Sequence, residues 1–225
     1  KTFVPAEMTK DQVREIDAMT HIENELIDEA MGRVLDYIEK RGWGDNTDII
    51  FTTDHGEFQG DYGMLFKGPA HVDSLMRVPM VWRPATDAKV RHKEIETPVG
   101  HIDLAPTFCQ IAGIPVPDWM QGKPLPTTKS DRRQRVITEW EDDFGGNTLK
   151  FNTIYRDGYI CTAYEKTNFY DGTEGELYDV DADPHQWRNL WDVKKHKSLK
   201  SDLVADLRDN LPPKRKDPLE RLANV

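Results

Sequence analysis

Cysteine and long apolar runs are scarce in this sequence of 225 residues. The two cysteines, Cys109 and Cys161, lie in unlike contexts, so they give no disulfide framework and are interpreted as two thiols. No apolar stretch approaches the roughly 20 residues that a membrane-spanning helix needs, so we expect no membrane partner. Basic residues number 30 against 40 acidic ones, and no basic stripe offsets the net charge of −10. This acidity argues against nucleic acid as a partner.

The length of the chain and its distribution of proline predict two domains. A chain of this size can bury a real core, as one large or two modest domains. Between residues 114 and 129 the chain has four prolines, Pro115, Pro117, Pro124 and Pro126. Because proline interrupts helices and strands, this stretch is interpreted as the passage between a first domain, residues 1–125, and a second domain, residues 126–225.

The hydrophobic pattern of the first domain predicts a long helix followed by two strands. Apolar residues recur at helical spacing from Val13 to Ile38, and Gly42 ends the run. Short apolar, β-rich runs at residues 48–53 and 78–82 predict strands, and the first of them is expected to be buried. Asp103 is a suitable N-cap for a further helix.

The pattern of the second domain predicts an antiparallel sheet packed with helices. Its predicted strands cover residues 135–141, 151–156, 159–164 and 176–180, and its predicted helices cover residues 185–191 and 197–210. Asp157 and Gly158 form a strong hairpin signal between the middle two strands. This order of elements is typical of an α+β domain.

A carboxylate and an imidazole follow the first predicted strand directly, at Asp54 and His55. In open α/β sheets, ligands gather just outside the carboxyl ends of strands, where this pair would lie. A carboxylate oxygen and a ring nitrogen can both bind a divalent cation. Gly56 permits a sharp turn, and Lys67 can supply positive charge for an anionic substrate. The pattern predicts a metal-and-anion site, and its alternative is a surface turn with an N-capping aspartate.

Further stretches follow this motif in a fixed order. They are Gly60 to Gly63, Lys67-Gly68-Pro69, Arg77 to Trp82, His101 to Thr107 and Glu176 to Val180. Together with Asp54-His55-Gly56, these stretches follow an order that resembles the sulfatase family of the alkaline phosphatase superfamily. The resemblance covers most of residues 9–210. The resemblance implies an α/β fold with part of an alkaline phosphatase-like sheet and its flanking helices. It also implies a smaller C-terminal α+β domain with an antiparallel sheet.

The resemblance assigns roles to particular residues. Asp54 and His55 would bind the metal, or His55 would instead hydrogen-bond the substrate. The metal is Ca²⁺ in most sulfatases, although a histidine ligand leaves Mn²⁺ open. Lys67 would contact an oxygen of a small-molecule sulfate, phosphonate or phosphate ester as a point charge. Apart from the resemblance, His71 lies four positions after Lys67, close enough to face the same pocket, where it would either contact the substrate or donate a proton to the leaving group. His101 is interpreted as structural.

The nucleophile of the family has no counterpart in this chain. Sulfatases attack with a formylglycine made from the Cys or Ser of a Cys-x-Pro-x-Arg-type motif, and neither cysteine here is followed by that pattern. The family's early Asp-Asp pair of metal ligands is also absent before residue 48. We therefore expect a C-terminal portion that carries part of the active site and is inactive in isolation. Its expected partner is an N-terminal fragment, which would hold the formylglycine, or a second copy of the chain.

Three functions are consistent with these residues. Metal-dependent hydrolysis of sulfate esters is favoured, because the resemblance is to sulfatases. Hydrolysis of phosphonate monoesters or phosphodiesters on the same scaffold is the first alternative, since it uses the same Asp-His-Gly and lysine elements. A truncated module that serves binding or assembly without catalysis is the second. Turnover of sulfate and phosphonate esters by the full-length protein separates the three.

Overall fold

Four α-helices, six strands and a few short 3₁₀ turns make up the regular structure of the described residues. In the computed structural model, residues 7–86, 94–128, 132–143 and 145–213 are described. The elements in chain order are α1 Lys10–Lys40, β1 Ile49–Thr52, α2 Asp73–Met76, β2 Met80–Arg83, α3 Leu104–Ile111, β3 Arg135–Asp143, β4 Thr148–Arg156, β5 Tyr159–Tyr164, β6 Gly175–Asp179 and α4 Lys197–Asn210. The division of the chain into domains at residue 125 stays a prediction.

The predicted long helix is confirmed as α1, which runs without a break for 31 residues. Thr9 begins it with a capping box, in which its hydroxyl accepts from the amide of Gln12 and its own amide donates to the Gln12 side chain. None of its residues is buried, and the side chains of Ile22 and Leu26 are 50% and 61% exposed. A long amphipathic helix is therefore left with its apolar face in solvent.

Both strands predicted in the first part of the chain are present, and they pair with each other. β1 and β2 are antiparallel, with Ile50 opposite Trp82. The Trp82 indole also donates to the carboxylate of Asp48 at 2.7 Å, which fixes the entry to β1. The expectation that β1 is buried is wrong, because all four of its residues are half-buried. The described residues pair it on one side only.

Strands β3 to β6 form an antiparallel sheet in chain order, as predicted for the second part of the chain. Asp157 and Gly158 link β4 and β5 with φ angles of +52° and +78°, the conformation of a tight hairpin turn. Helix α4 packs its buried Leu203 and Leu207 against this sheet. The resulting core also contains Cys161, whose thiol is free and whose pKa burial raises to about 12. The prediction of two unpaired thiols is confirmed.

The predicted helix at residues 185–191 is wrong, since these residues form turns. Side chains take up the backbone groups that a helix would pair internally. The Asp183 carboxylate accepts from the amide of Arg188, and the Asn189 side chain accepts from the amides of Leu177 and Trp191. Asp and Asn compete with helices in this way because their short side chains reach nearby amides.

No helix within the described part of the chain combines the length and apolarity needed to cross a membrane.

Candidate functional site

The loop that leaves β1 carries both predicted metal ligands. The Asp54 carboxylate accepts hydrogen bonds from the Thr53 hydroxyl at 3.3 Å and from the His55 amide at 3.1 Å. Partial desolvation acts to raise the pKa of Asp54, but electrostatic interaction with the neighbouring His55 and these hydrogen bonds outweigh it and lower the pKa below its usual value. Asp54 is therefore an anion throughout the physiological pH range and is available to a cation.

The His55 ring is held in one tautomer by its neighbour. Its Nδ1 lies 2.8 Å from the carbonyl oxygen of Gly56, and a carbonyl can only accept, so Nδ1 carries the proton. The other nitrogen, Nε2, then carries the lone pair of the ring. This lone pair lies 3.4 Å from an Asp54 carboxylate oxygen and 2.8 Å from the ammonium nitrogen of Lys67. A backbone carbonyl thus prepares the ring to bind a positive charge through Nε2.

Asp54 and His55 fit a divalent cation as two of its ligands. Oxygen and nitrogen ligands lie about 2.0–2.6 Å from such ions, so two donor atoms 3.4 Å apart can share one. A stable site needs at least about four ligands. Within residues 7–86, 94–128, 132–143 and 145–213, no group of three or more His, Cys, Asp and Glu side chains is placed to hold a metal. The remaining ligands would have to come from elsewhere.

Close packing against α2 fixes the start of this loop. A methyl group added at Gly56 would lie 1.9 Å from the carbonyl oxygen of Ser74, so no other residue fits there. The Gly56 amide donates to the carbonyl of Leu75 at 2.8 Å. Phe58 follows as a buried residue in a small core with Val72 and Leu75. The sharp turn predicted from Gly56 is thus a close approach of two backbone segments.

Lys67 reaches His55 because the loop folds back on itself. The amides of Phe58 and Gly60 donate to the carbonyls of Phe66 and Met64, at 2.9 and 2.8 Å. This ladder returns the chain from the loop tip to the base, where Lys67 follows Phe66. The structure therefore brings together three of the four predicted site residues, and their roles in the reaction stay predictions.

His71 lies elsewhere. Its ring is 4% exposed and packs against Phe151 with a centroid distance of 4.7 Å. Its Nδ1 is 2.7 Å from the Thr153 hydroxyl, which lies 2.8 Å from that of Thr162. Burial lowers the pKa of His71 to about 4, so the ring is neutral at pH 7. The expectation that His71 faces an open pocket beside Lys67 is corrected, because it joins the loop to the β4–β5 sheet.

A second contact between the loop and the later turns could not be read from the sequence motif. The Tyr62 hydroxyl at the loop tip donates to the carbonyl of His185 at 3.1 Å. The buried Gln186 side chain accepts from the amide of Asp73 at 2.6 Å, at the first residue of α2. The sequence shows only a glutamine within a polar stretch, which does not identify a partner 113 positions away.

Comparison with known proteins places this arrangement in a family. Residues 60–212 match the family model described as N-sulphoglucosamine sulphohydrolase, C-terminal. The chain is 30% identical to the uncharacterized sulfatase YidJ of Escherichia coli K12 over 196 residues, which are 84% of this chain and 37% of that protein. It is 28% identical to an N-acetylglucosamine-6-O-sulfatase of Bacteroides thetaiotaomicron, over 81% of this chain and 33% of that protein.

A solved structure shows the same fold. A crystal structure of a putative sulfatase from Bacteroides thetaiotaomicron superposes with a TM-score of 0.76 and 25% sequence identity. The match covers 91% of this chain and 44% of that one. The chain thus spans about a third of the length of the two curated relatives and under half of the solved one.

Proposed function

Because this chain belongs to the sulfatase family of the alkaline phosphatase superfamily, we propose that the protein hydrolyses sulfate esters with the help of a divalent metal. The chain corresponds to the C-terminal portion of that family, so the active site would be completed by ligands and a nucleophile that it does not itself contain. By resemblance, the nucleophile would be a formylglycine.

One observation carries the proposal. At the end of β1, the His55 Nε2 atom lies 3.4 Å from the Asp54 carboxylate and 2.8 Å from the Lys67 ammonium. A carboxylate and a neutral imidazole nitrogen attract a cation, and an ammonium attracts an anion. A sulfate ester bound to a metal presents both charges at once, so this set of groups matches its charge pattern.

The chain's own residues would act by binding and charge stabilisation. A divalent cation, when bound, supplies positive charge to the ester oxygens. Asp54 and His55 would hold it, with the Gly56 carbonyl keeping the His55 ring oriented. Lys67 would donate a hydrogen bond to a sulfuryl oxygen and stabilise the charge that grows on it in the transition state. His71, neutral and buried, would position the loop through its contact with Thr153.

The donor atoms of the site fit two metals, Ca²⁺ and Mn²⁺. Ca²⁺ prefers oxygen ligands, whereas Mn²⁺ accepts imidazole nitrogen as well. The family resemblance favours Ca²⁺, and the His55 nitrogen keeps Mn²⁺ as the alternative. Measuring activity of the metal-stripped full-length protein after adding each ion separates them.

The substrate class that we propose is a sulfated sugar. One relative is named as an N-acetylglucosamine-6-O-sulfatase, and its similarity covers both the site loop and the sheet of this chain. Phosphonate monoesters and phosphodiesters are the alternative, because Lys67 and a metal would also stabilise their anionic, tetrahedral groups.

Hydrolysis rates of the full-length protein on paired esters test the proposal. An aryl sulfate, the corresponding aryl phosphonate and N-acetylglucosamine 6-sulfate would be compared with and without a metal chelator. We expect the sulfates to have the highest kcat/KM and the chelator to abolish turnover. A higher kcat/KM for the phosphonate would establish the alternative function, and no turnover of any ester would establish a module without catalysis.

A further inference from the structure

Two aromatic rings form an exposed stack on the turn that follows β6. The rings of His185 and Trp187 are parallel to within 19°, with centroids 4.9 Å apart. Trp187 is nevertheless 81% exposed, the highest value among the exposed large apolar side chains of the described residues. The histidine covers one face of the indole, so its other face is open to solvent.

The turn holds this stack rigidly. Gln186, between the two rings, points inward and is 2% exposed, so its neighbours on either side point outward. Its side chain is tied to the amide of Asp73, and its own amide donates to the Asp183 carbonyl at 2.9 Å. The Asp183 carboxylate accepts from the amide that follows Trp187 at 2.8 Å. An aromatic side chain on a turn fixed in this way loses little conformational freedom when a ligand binds.

The stack is joined to the loop of the candidate site. The Tyr62 hydroxyl donates to the carbonyl of His185, and Tyr62 is held at the loop tip in the left-handed conformation with φ of +55°. Tyr62 and Lys67 are five residues apart, and five residues span at most about 18 Å. The stack is therefore joined to the same loop that carries Lys67.

We infer that the open face of Trp187 binds an uncharged sugar ring of a sulfated oligosaccharide, which makes Trp187 a specificity-determining residue for the substrate of the sulfatase site. The C–H groups of a pyranose carry slight positive charge and contact the electron-rich face of an indole. This inference depends on the proposed function for its substrate, and on the described contacts for its position.

The charges around Tyr62 select against a second sulfate. Burial, followed by the carboxylates of Asp61, Glu176 and Asp183, raises the pKa of the Tyr62 hydroxyl to about 12. Negative potential in this region repels a further sulfate group. An unsulfated sugar experiences no such repulsion.

The test compares three substrates of increasing length in the full-length protein. They are N-acetylglucosamine 6-sulfate and its chitobiose and chitotriose homologues, in which the added sugars carry no sulfate. We expect Trp187→Ala to lower the ratio of kcat/KM for the trisaccharide to that for the monosaccharide about tenfold. Trp187→Phe, which keeps an aromatic face, should retain most of the ratio. Trp119, which is 77% exposed, gives the matched control in Trp119→Ala, whose ratio should equal that of the wild type.

A binding measurement separates this inference from the proposed function. Unsulfated chitotriose is added to the same variants, and its contact with the protein is detected by saturation-transfer NMR, which needs no turnover. If Trp187→Ala loses the signal and Trp119→Ala keeps it, the binding of a sugar to Trp187 is supported even when no sulfate ester is hydrolysed. An unchanged substrate ratio in Trp187→Ala would overturn the inference. It would also be overturned if this variant changed only the melting temperature or the sedimentation coefficient, since Trp187 would then be covered by protein.

Discussion

The ammonium nitrogen of Lys67 lies 2.8 Å from Nε2 of His55, on the lone pair that a metal ion would also need. Nε2 has one lone pair, so it binds either the Lys67 ammonium group or a metal ion. Lys67, which is proposed to contact the sulfate group, therefore competes in this structure with the metal for the His55 lone pair.

This competition predicts that Lys67→Ala tightens the binding of Mn²⁺ to the isolated chain. The substitution removes the positive charge that repels the metal and the ammonium group that contacts Nε2. We therefore expect the affinity for Mn²⁺ to rise about tenfold. Asp54→Asn should weaken binding, because a carboxylate ligand is lost. Isothermal titration calorimetry measures both, with Lys40→Ala at the end of α1 as the control. Unchanged or weaker Mn²⁺ affinity in Lys67→Ala would contradict the assignment of Nε2 as a ligand.

The buried His71 predicts a pH-dependent stability. Its pKa is about 4 in the folded chain and 6.5 in the unfolded chain, so the unfolded state binds more protons between these values. The stabilisation is complete above pH 6.5 and is lost as the pH falls to 4, at a cost of about 3 kcal/mol. Denaturant unfolding at pH 7 and pH 4 measures this loss, and His71→Asn should remove it. The exposed His101 is the control. If His101→Asn removed as much of the pH dependence of stability as His71→Asn, the burial argument would be wrong.

Gly56 predicts a steric cost that is independent of catalysis. Gly56→Ala would place a methyl group 1.9 Å from the Ser74 carbonyl oxygen, and we expect the free energy of unfolding to fall by at least about 2 kcal/mol. Gly32→Ala in α1 is the matched control, because nothing lies within 4 Å of the added methyl group. It should raise the stability by roughly 0.5–1 kcal/mol, since alanine favours helices. Equal effects of the two variants would show that the contact with Ser74 is not tight.

The exposed apolar face of α1 predicts association. Ile22 and Leu26 are at least half exposed on a helix with no buried residue, and such a face is stabilised by a partner. We expect the isolated chain to self-associate in sedimentation velocity runs, and Leu26→Lys to shift it toward monomer. Glu25→Lys on the same helix is the control for the change of charge. Wild-type chain that remains monomeric at all concentrations would count against an unfilled interface on this helix.

Local patterns were sufficient to predict most elements of this fold. Helical spacing defined α1, and the turn signal at Asp157-Gly158 placed the β4–β5 hairpin, because both features depend on residues close in sequence. Two of the failed predictions depend on distant residues, and the third depends on short side-chain contacts that compete with a helix. The burial of His71 comes from Thr153, 82 positions later, and the turns after β6 form because Asp183 and Asn189 take up nearby amides. The half-burial of β1 depends on how many strands flank it, which its own sequence does not determine.

Features of the candidate site were likewise predicted where they depend on residues close in sequence and missed where they depend on distant ones. Asp54, His55 and Lys67 were predicted from their order in the chain, and the loop ladder then brings Lys67 within hydrogen-bonding distance of His55. The contact of Tyr62 with His185 spans 123 positions and joins two segments that show no shared pattern. Sequence order therefore indicated the chemistry of the site, whereas its surroundings required the fold.

The most direct test of the central claim is the kcat/KM of the full-length protein for an aryl sulfate in Lys67→Ala and His101→Ala. Lys67 would stabilise the transition state more than the resting ester, so we expect its loss to lower kcat/KM by roughly two to three orders of magnitude. Loss of the exposed His101, before α3, should have little effect. If His101→Ala proved as damaging as Lys67→Ala, the site could not be the loop that carries Asp54, His55 and Lys67.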